Sequence, residues 1–361
     1  MKKISLIFIL GITFFSCNKE EGDSSGNTQF DVSTLLTNAA DNIITPAYED
    51  ATSSAKQMKD AKNNFVSTPT AENLEALQAS WKTAFIDWQK AGAFNFGPAE
   101  DNTFKSILED INTFPVDEDL IEQYITDGDV SLNNFDRDSR GFSALDYLLY
   151  AEDQSNTLSS FQANSNRLDY LSAVIDDIHT RIETAKNGWT NGYRDSFVGN
   201  TSTSAGSSIS IYYNQFLRYY ENIKQFKLGL PAGLQVGQSG TQPELLEARY
   251  EDHLALDLIE AHVAITEDIW YGRGSDGTDG IGFDDWLTTL GETELLSNTQ
   301  TSIEEINTAV SNITNVKSDL ENNFSVIETA VTEMQEHTRY YKSDLSAVIA
   351  ISITFNSGDG D

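Results

Sequence analysis

Cysteine is nearly absent from this 361-residue chain, because Cys17 is its only copy. A lone thiol excludes a disulfide framework within the chain and a metal centre built from several thiolates. The neighbouring residues indicate another use for it. Residues 1–3 form a basic head, residues 4–15 form an apolar run too short to span a bilayer, and Ser16 precedes the cysteine. We therefore predict a signal peptide over residues 1–16.

The leader resembles a lipobox, which implies cleavage before Cys17 and acylation of that cysteine, palmitate included. Residues 17–29 are polar and rich in Gly and Ser, which is typical of a flexible tether. Lys19-Glu20-Glu21 resembles the sorting tags of some Gram-negative lipoproteins. We expect a bacterial outer-membrane lipoprotein held by its lipid alone, and the sequence leaves open whether it is periplasmic or exposed at the cell surface.

Basic residues are also scarce, with 23 Lys and Arg against 56 Asp and Glu and a formal net charge of −33. A surface of this sign repels nucleic acid and anionic lipid, and it concentrates cations around the protein. The charge therefore excludes a nucleic-acid-binding function. It is equally typical of a protein that uses charge only to stay soluble.

Proline is the third residue in short supply: its six copies are widely spaced, so long helices can run without interruption. Apolar residues recur at spacings of three and four along most of the chain, which is the helical pattern. Residues 348–355 are the one convincing run with strand-like alternation. The sequence predicts an all-α fold.

The length exceeds the roughly 250–300 residues at which a single hydrophobic core stops growing, so we expect two units. Residues 187–208 are rich in Gly, Ser, Thr and Asn and form the best boundary. We therefore predict an N-terminal helical bundle over residues 30–190 and a C-terminal helical bundle over residues 205–355. Their similar length indicates two four-helix-bundle-like halves packed together and related by an internal duplication.

Gly141 opens the stretch with the most chemical content. Leu145 and Leu149 lie on one apolar stripe of the helix predicted behind it. Ser143 and Asp146 are three residues apart, so their side chains leave the same side of that helix. Two oxygen-bearing side chains at the start of a buried helix form the best candidate site. In the alternative interpretation they only satisfy backbone or buried polar groups near the helix start.

The frame Gly141-x-Ser143-x-x-Asp146 resembles the Gly-x-His-x-x-Glu signature of the imelysin family, the insulin-cleaving membrane peptidase and its relatives. The resemblance implies two helical bundles with a site between them, a metal-dependent peptidase activity, and an association with iron or haem acquisition. This chain departs from the signature at both ligand positions, because Ser143 replaces the histidine and Asp146 replaces the glutamate.

Further family motifs follow in the same order along the chain. An aromatic stretch ends at the Gly97-Pro98 corner, and Glu247-x-x-Tyr250 matches a Glu-containing motif of the second half. In the family a glutamate lies shortly before the Gly-Pro corner, and the alignment puts Gly92 there. A neutral serine is a poor metal ligand and aspartate is shorter than glutamate, so we expect the inherited metal site to be degenerate.

His253 and Asp257, four residues apart, are weak alternative metal ligands, with Glu247 on the same predicted helix over residues 244–270. Asp146 of the signature frame is the fourth weak candidate. Together they are the candidate ligands for iron or another divalent cation. Such a pair is also common on the solvated face of an acidic helix. The segment 276–280 faintly resembles a calcium loop but lacks its ligand order, and we interpret it as an acidic turn.

Aromatic residues at helical spacing, Trp81, Phe85 and Trp88, continue into Phe94 and Phe96, and they suit either a pocket for a flat ligand or a packed core. Combined with the motifs, they define the set of candidate ligand-pocket residues. These are Trp81, Trp88, Phe94, Gly97, Pro98, Gly141, Ser143, Asp146, Glu247, Tyr250 and His253.

Three functions remain open at this stage. We expect a lipid-anchored, non-catalytic binding component associated with iron or haem acquisition, with receptor components of that uptake system as partners. The second is a divergent imelysin-type metallopeptidase acting in the groove between the halves. Against it, none of the four histidines lies in a His-Glu-x-x-His frame, and none is a sequence neighbour of Ser143. The third is a structural or adhesive surface module.

Overall fold

The computed structural model describes residues 30–101, 105–132, 135–235, 237–251 and 253–355. The predicted leader, Cys17 and the tether lie outside the described residues. Within that described part, none of the helices combines the length and the apolar character needed to cross a membrane.

The first part of the described chain is built from nine helices and one short strand pair. The helices are α1 (Val32–Asn38), α2 (Thr45–Ser67), α3 (Ala71–Ala91), α4 (Ile107–Asn112), α5 (Glu118–Asp127), α6 (Phe142–Tyr150), α7 (Gln154–Ala163), α8 (Ser165–Gly188) and α9 (Arg194–Gly199). β1 (Glu100–Asp101) pairs antiparallel with β2 (Lys105–Ser106). Three-residue 3₁₀ turns occupy Gly92–Phe94, Gly97–Ala99 and Arg137–Ser139, and π-helical turns occupy Ala39–Ile44 and Trp189–Tyr193.

The second part of the described residues contributes seven more helices. These are α10 (Ser208–Asn222), α11 (Leu254–Tyr271), α12 (Phe283–Leu290), α13 (Thr293–Ser311), α14 (Val316–Asn322), α15 (Phe324–Arg339) and α16 (Ser346–Val348). A π-helical turn, Ile223–Gly229, continues α10, a second one, Tyr340–Leu345, joins α15 to α16, and Pro243–Leu245 is a 3₁₀ turn.

Local signals in the sequence account for several helix starts. The hydroxyl of Thr70 accepts a hydrogen bond from the backbone N–H of Asn73, so this threonine caps α3 as its position predicts. Pro46 lies in the first turn of α2, where its missing N–H costs no hydrogen bond. Pro46 therefore lies at the start of α2, directly after the π-helical turn, and does not interrupt the helix.

The helices pack side by side around a continuous apolar core. In the first half α2 packs against α3 and α8, and in the second half α13 packs against α15. α3 also packs against α11, which joins the two halves along one interface. The all-α prediction is confirmed, and the division at 187–208 stays a prediction.

Two segments differ from what their sequence pattern indicates, and one predicted helix begins later than expected. The strand-like run 348–355 forms no strand, and its last residues are irregular after α16. The polar segment after residue 187 continues in helical turns as far as Gly199, with a kink at Asn191 and Gly192, where the backbone angles are not helical. Trp189 and Phe197 are buried there and pack on each other. The helix predicted over 244–270 begins only at Leu254, and residues 246–251 run as an irregular segment, called the strap below.

Candidate functional site

Gly141 sets the position of α6 because its backbone has a φ of +84° and leaves no room for a side chain. A Cβ at this position would lie 2.3 Å from the carbonyl oxygen of Ile111 in α4. Only glycine combines this conformation with so close a backbone approach. The helix that follows is almost entirely buried, and the indole N–H of Trp81 donates to the carbonyl of Phe142 at 3.1 Å.

Ser143 and Asp146 both bind the backbone of the strap. The Ser143 hydroxyl donates to the carbonyl oxygen of Glu247 at 3.2 Å. The two carboxylate oxygens of Asp146 accept from the backbone N–H groups of Tyr250 and Glu251, each at 2.9 Å. Backbone groups of the strap therefore bond to side chains of α6 instead of to each other. This is why the helix predicted over residues 244–270 does not include the strap.

The Asp146 carboxyl is 1% exposed. Burial raises the pKa of Asp146 to about 7, and the backbone N–H donors of the strap oppose this rise. The space left beside Ser143 and Asp146 is about 10 Å³, which holds at most one water molecule. The signature position is thus filled by the protein itself.

The side chain of Glu247 turns away from α6 into a buried polar cluster, defined as Gln89, Asn112, Lys227 and Glu247. The ammonium of Lys227 lies 2.5 Å from Glu247 Oε2, and both side chains are 4% exposed. Glu247 Oε1 accepts from the amides of Asn112 at 2.8 Å and Gln89 at 3.2 Å. Lys227 also donates to Gln89 Oε1 at 2.6 Å. Every polar end in the pair has a partner, as a buried ion pair requires.

These residues do not fit a metal ion. Both Asp146 oxygens are bound to backbone N–H groups, Ser143 donates its proton to a carbonyl, and the Glu247 carboxylate is neutralised by Lys227. Burial lowers the pKa of Lys227, while the adjacent Glu247 raises it and favours the ammonium form. No group of three or more His, Cys, Asp or Glu among the described residues is arranged to hold a metal ion.

A cavity of about 360 Å³ opens beside this cluster. It lies between α3 and α4 on one side and α10, α11 and the turn Ile223–Gly229 on the other. Its wall combines polar and apolar side chains from all of these elements. The residues that line it are Gln89, Asn95, Leu108, Glu109, Asn112, Thr113, Phe114, Arg218, Tyr219, Asn222, Phe226, Lys227, Leu230 and His262.

The structure separates the residues that the sequence grouped as a ligand pocket. Trp81, Trp88 and Phe94 are fully buried in the core. Gly97 and Pro98 form a turn that packs against the π-helical turn at Trp189–Tyr193 and the end of α8, where Pro98 leaves no space for a Cβ on Gly188.

The second-half candidates also separate. His253 and Asp257 are exposed at the first turn of α11. Glu247 is not on that helix as predicted, because it belongs to the strap and its side chain points to Lys227. Tyr250 packs against Tyr147, and its hydroxyl donates to Glu118.

Sequence reasoning missed Gln89, Asn112, Lys227 and His262. They come from four separate elements, so no spacing connects them. Lys227 did carry a signal: it follows Ile223 by four residues on an apolar helix face, where a charged side chain must find a buried partner.

The comparisons with known proteins agree with this architecture. The imelysin family model matches residues 44–339, and the chain therefore belongs to the imelysin family. The solved structures include an imelysin-like protein from Psychrobacter arcticum 273-4, with a TM-score of 0.71 and 19% identity over 91% of this chain and 99% of that one. They also include a protein described as an iron-regulated protein A precursor from Parabacteroides distasonis ATCC 8503. It has a TM-score of 0.73 and 17% identity over 90% of this chain and 96% of that one.

A curated relative is the iron-regulated protein A of Synechococcus elongatus, which is 27% identical over 172 residues. That alignment covers 48% of this chain and 44% of the relative, so the chain spans less than half the length of this relative. The family resemblance drawn from the signature residues is confirmed, and the two solved structures support the all-α fold.

Proposed function

We propose that this protein is a non-catalytic binding component of an iron-related system, and that its ligand enters the 360 Å³ cavity rather than the signature position. The observation that carries the proposal is the use made of Ser143 and Asp146. Both hold the strap through backbone hydrogen bonds, so neither presents a free oxygen to a substrate or an ion.

The same contacts argue against peptidase chemistry at this position. A serine nucleophile needs a neighbouring base to accept its proton, and Ser143 instead donates to a carbonyl oxygen, which is not a base. A metallopeptidase needs a metal-bound water, and the residues around α6 do not form a metal site. Binding in the open cavity is the activity that this arrangement supports.

The relation to iron rests on the relatives. One solved and one curated relative are described as iron-regulated protein A, and the family match is over most of the chain. We propose the same setting for this protein, with receptor components of iron or haem uptake as partners.

Metal content tests the proposal at the signature position. Protein purified without chelator should contain no stoichiometric iron or zinc by elemental analysis, because every donor near α6 is occupied. The double change Ser143→His/Asp146→Glu supplies an imidazole and a longer carboxylate one helical turn apart and should increase metal uptake. Stoichiometric metal in the unmodified protein, or sustained cleavage of an unfolded protein substrate that is lost on altering Asp146, would contradict the proposal.

Membrane attachment has its own test. We propose that acylated Cys17 anchors the protein in the outer membrane. Cys17→Ala should therefore move the protein from the membrane fraction to the soluble fraction of cells that express the full chain. The unmodified chain and a Ser16→Ala variant, which keeps the acylated residue, serve as controls. Retention of Cys17→Ala in the membrane fraction would remove the anchor from the proposal.

A further inference from the structure

Arg218 brings a positively charged guanidinium to the lining of the cavity. Its side chain is exposed, and its guanidinium lies 5.2 Å from the centre of the Phe355 ring. Among the described residues it has no ion-pair partner within 4.0 Å, although the chain carries a formal charge of −33. A guanidinium that lines a concave site, with no ion-pair partner among the described residues, is suited to a planar carboxylate.

Two buried side-chain atoms from residues that line the cavity are hydrogen-bond acceptors without a donor among the described residues, and the first belongs to His262. His262 is 1% exposed, and its Nε2 lies 2.8 Å from the carbonyl oxygen of Tyr219. A carbonyl only accepts, so Nε2 carries the hydrogen and Nδ1 carries a lone pair. Burial keeps the pKa of His262 well below its usual value, which favours the neutral ring. In the described part of the chain its buried Nδ1 has no hydrogen-bond partner.

Asn112 provides the second acceptor. Its amide nitrogen donates to Glu247, so its carbonyl oxygen is left to accept. That oxygen is buried and likewise has no partner among the described residues. Two buried acceptors without donors cost free energy unless a bound molecule or water supplies the hydrogens. Hydroxyl groups on a bound molecule would supply these hydrogens.

Apolar side chains complete the wall. Phe114, Leu108 and Leu230 line the cavity, and Phe226 does so while 47% exposed. The volume of about 360 Å³ is near the lower end of the range for small-molecule sites and has room for a single-ring compound with a few substituents.

We propose that the cavity binds a small aromatic hydroxy acid, with its carboxylate at Arg218, its hydroxyl groups donating to His262 and Asn112, and its ring between Phe114 and Phe226. The inference rests on the proposed binding function and adds the chemical class of the ligand. The three groups of contacts come from different elements that line one cavity, and a molecule with all three chemical features would meet them together.

The test compares three probes by isothermal titration calorimetry on the full chain in metal-free buffer. 2,3-Dihydroxybenzoate carries the carboxylate, the ring and the hydroxyls; benzoate lacks the hydroxyls, and catechol lacks the carboxylate. We expect 2,3-dihydroxybenzoate to bind at least roughly tenfold more tightly than either, as expected when one charge-assisted or two neutral hydrogen bonds are added. Equal affinity for the three probes, or no binding of any, would overturn the inference.

Variants assign the contacts. Arg218→Gln should weaken 2,3-dihydroxybenzoate by roughly tenfold and leave catechol unchanged. Arg339→Gln is the matched control, because Arg339 also lies over an aromatic ring, Tyr340, but does not line the cavity. His262→Phe keeps the stacking on Tyr219 and removes both nitrogens, so it should reduce the advantage of 2,3-dihydroxybenzoate over benzoate.

Thermal melts of each variant establish that it is folded before binding is compared. If Arg218→Gln and Arg339→Gln behave alike toward 2,3-dihydroxybenzoate, the carboxylate does not bind at Arg218 and the inference is wrong. Failure here leaves the non-catalytic binding proposal standing, because that proposal is decided by metal content and proteolysis.

Discussion

Replacing Lys227 by Met should lower the free energy of unfolding by about 3–5 kcal/mol, the usual loss when one partner of a buried ion pair is removed. The methionine fills similar volume, so the loss comes from charge rather than from a cavity. Glu247 would remain as an uncompensated carboxylate with 4% exposure, and Gln89 would lose the donor to its carbonyl oxygen. Urea denaturation measures the change.

A double-mutant cycle separates the charge from the packing. Glu247→Gln alone should cost a similar amount, because it leaves the Lys227 ammonium buried beside a neutral amide. The double variant Lys227→Met/Glu247→Gln should recover most of the loss, since no unpaired charge remains. An additive double variant would mean that the two residues act independently.

The matched control is Lys56→Met. Lys56 also lies 2.5 Å from a carboxylate oxygen, that of Asp60, but both side chains are largely exposed. Water screens such a pair, so its removal should change stability little. If Lys227→Met costs no more than Lys56→Met, the charge pairing of Lys227 with Glu247 does not stabilise the fold.

Gly141→Ala should lower the free energy of unfolding by roughly 2–6 kcal/mol. About 1–3 kcal/mol comes from forcing alanine into a left-handed backbone conformation, and about 1–3 kcal/mol comes from the overpacked contact. The new Cβ would lie 2.3 Å from the backbone oxygen of Ile111, which no rotamer change relieves. α6 or α4 must then shift. Urea denaturation measures the loss, and hydrogen exchange at the Tyr250 and Glu251 amides should increase as the strap loosens.

Gly199→Ala is the control for this change. Gly199 ends α9 without a positive φ, and a Cβ there would meet nothing within 4 Å. Alanine is intrinsically better in a helix than glycine, so stability should stay the same or rise slightly. A loss in Gly199→Ala equal to that in Gly141→Ala would show that the effect is not specific to the start of α6.

Much of the fold could be predicted because local signals and packing agree. The spacing of Leu74, Leu77 and Trp81 predicts an amphipathic helix, and α3 buries these three side chains. Thr70 caps the same helix from the position that the sequence indicates. The frame around Gly141, together with the further motifs in the same order along the chain, predicted the family, and the family model confirms it.

The strap could not be predicted for a physical reason. Its apolar residues have helical spacing, but the N–H groups of Tyr250 and Glu251 find a better acceptor in Asp146, about a hundred positions earlier in the chain. A tertiary hydrogen bond of this kind leaves no trace in a local pattern. The buried polar cluster could not be predicted for the same reason. Gln89, Lys227 and Glu247 are far apart in the sequence and come into contact only when the two halves pack together.

The hydrogen bonds that hold the strap involve its backbone, and this affects which substitutions the strap can accept in evolution. Asp146 accepts hydrogen bonds from two main-chain amides, and Ser143 donates one to a main-chain carbonyl. Nearly every amino acid supplies these main-chain groups. Positions 250 and 251 can therefore drift through many residue types without releasing the segment from α6. Proline is barred from both, because it has no amide hydrogen to offer.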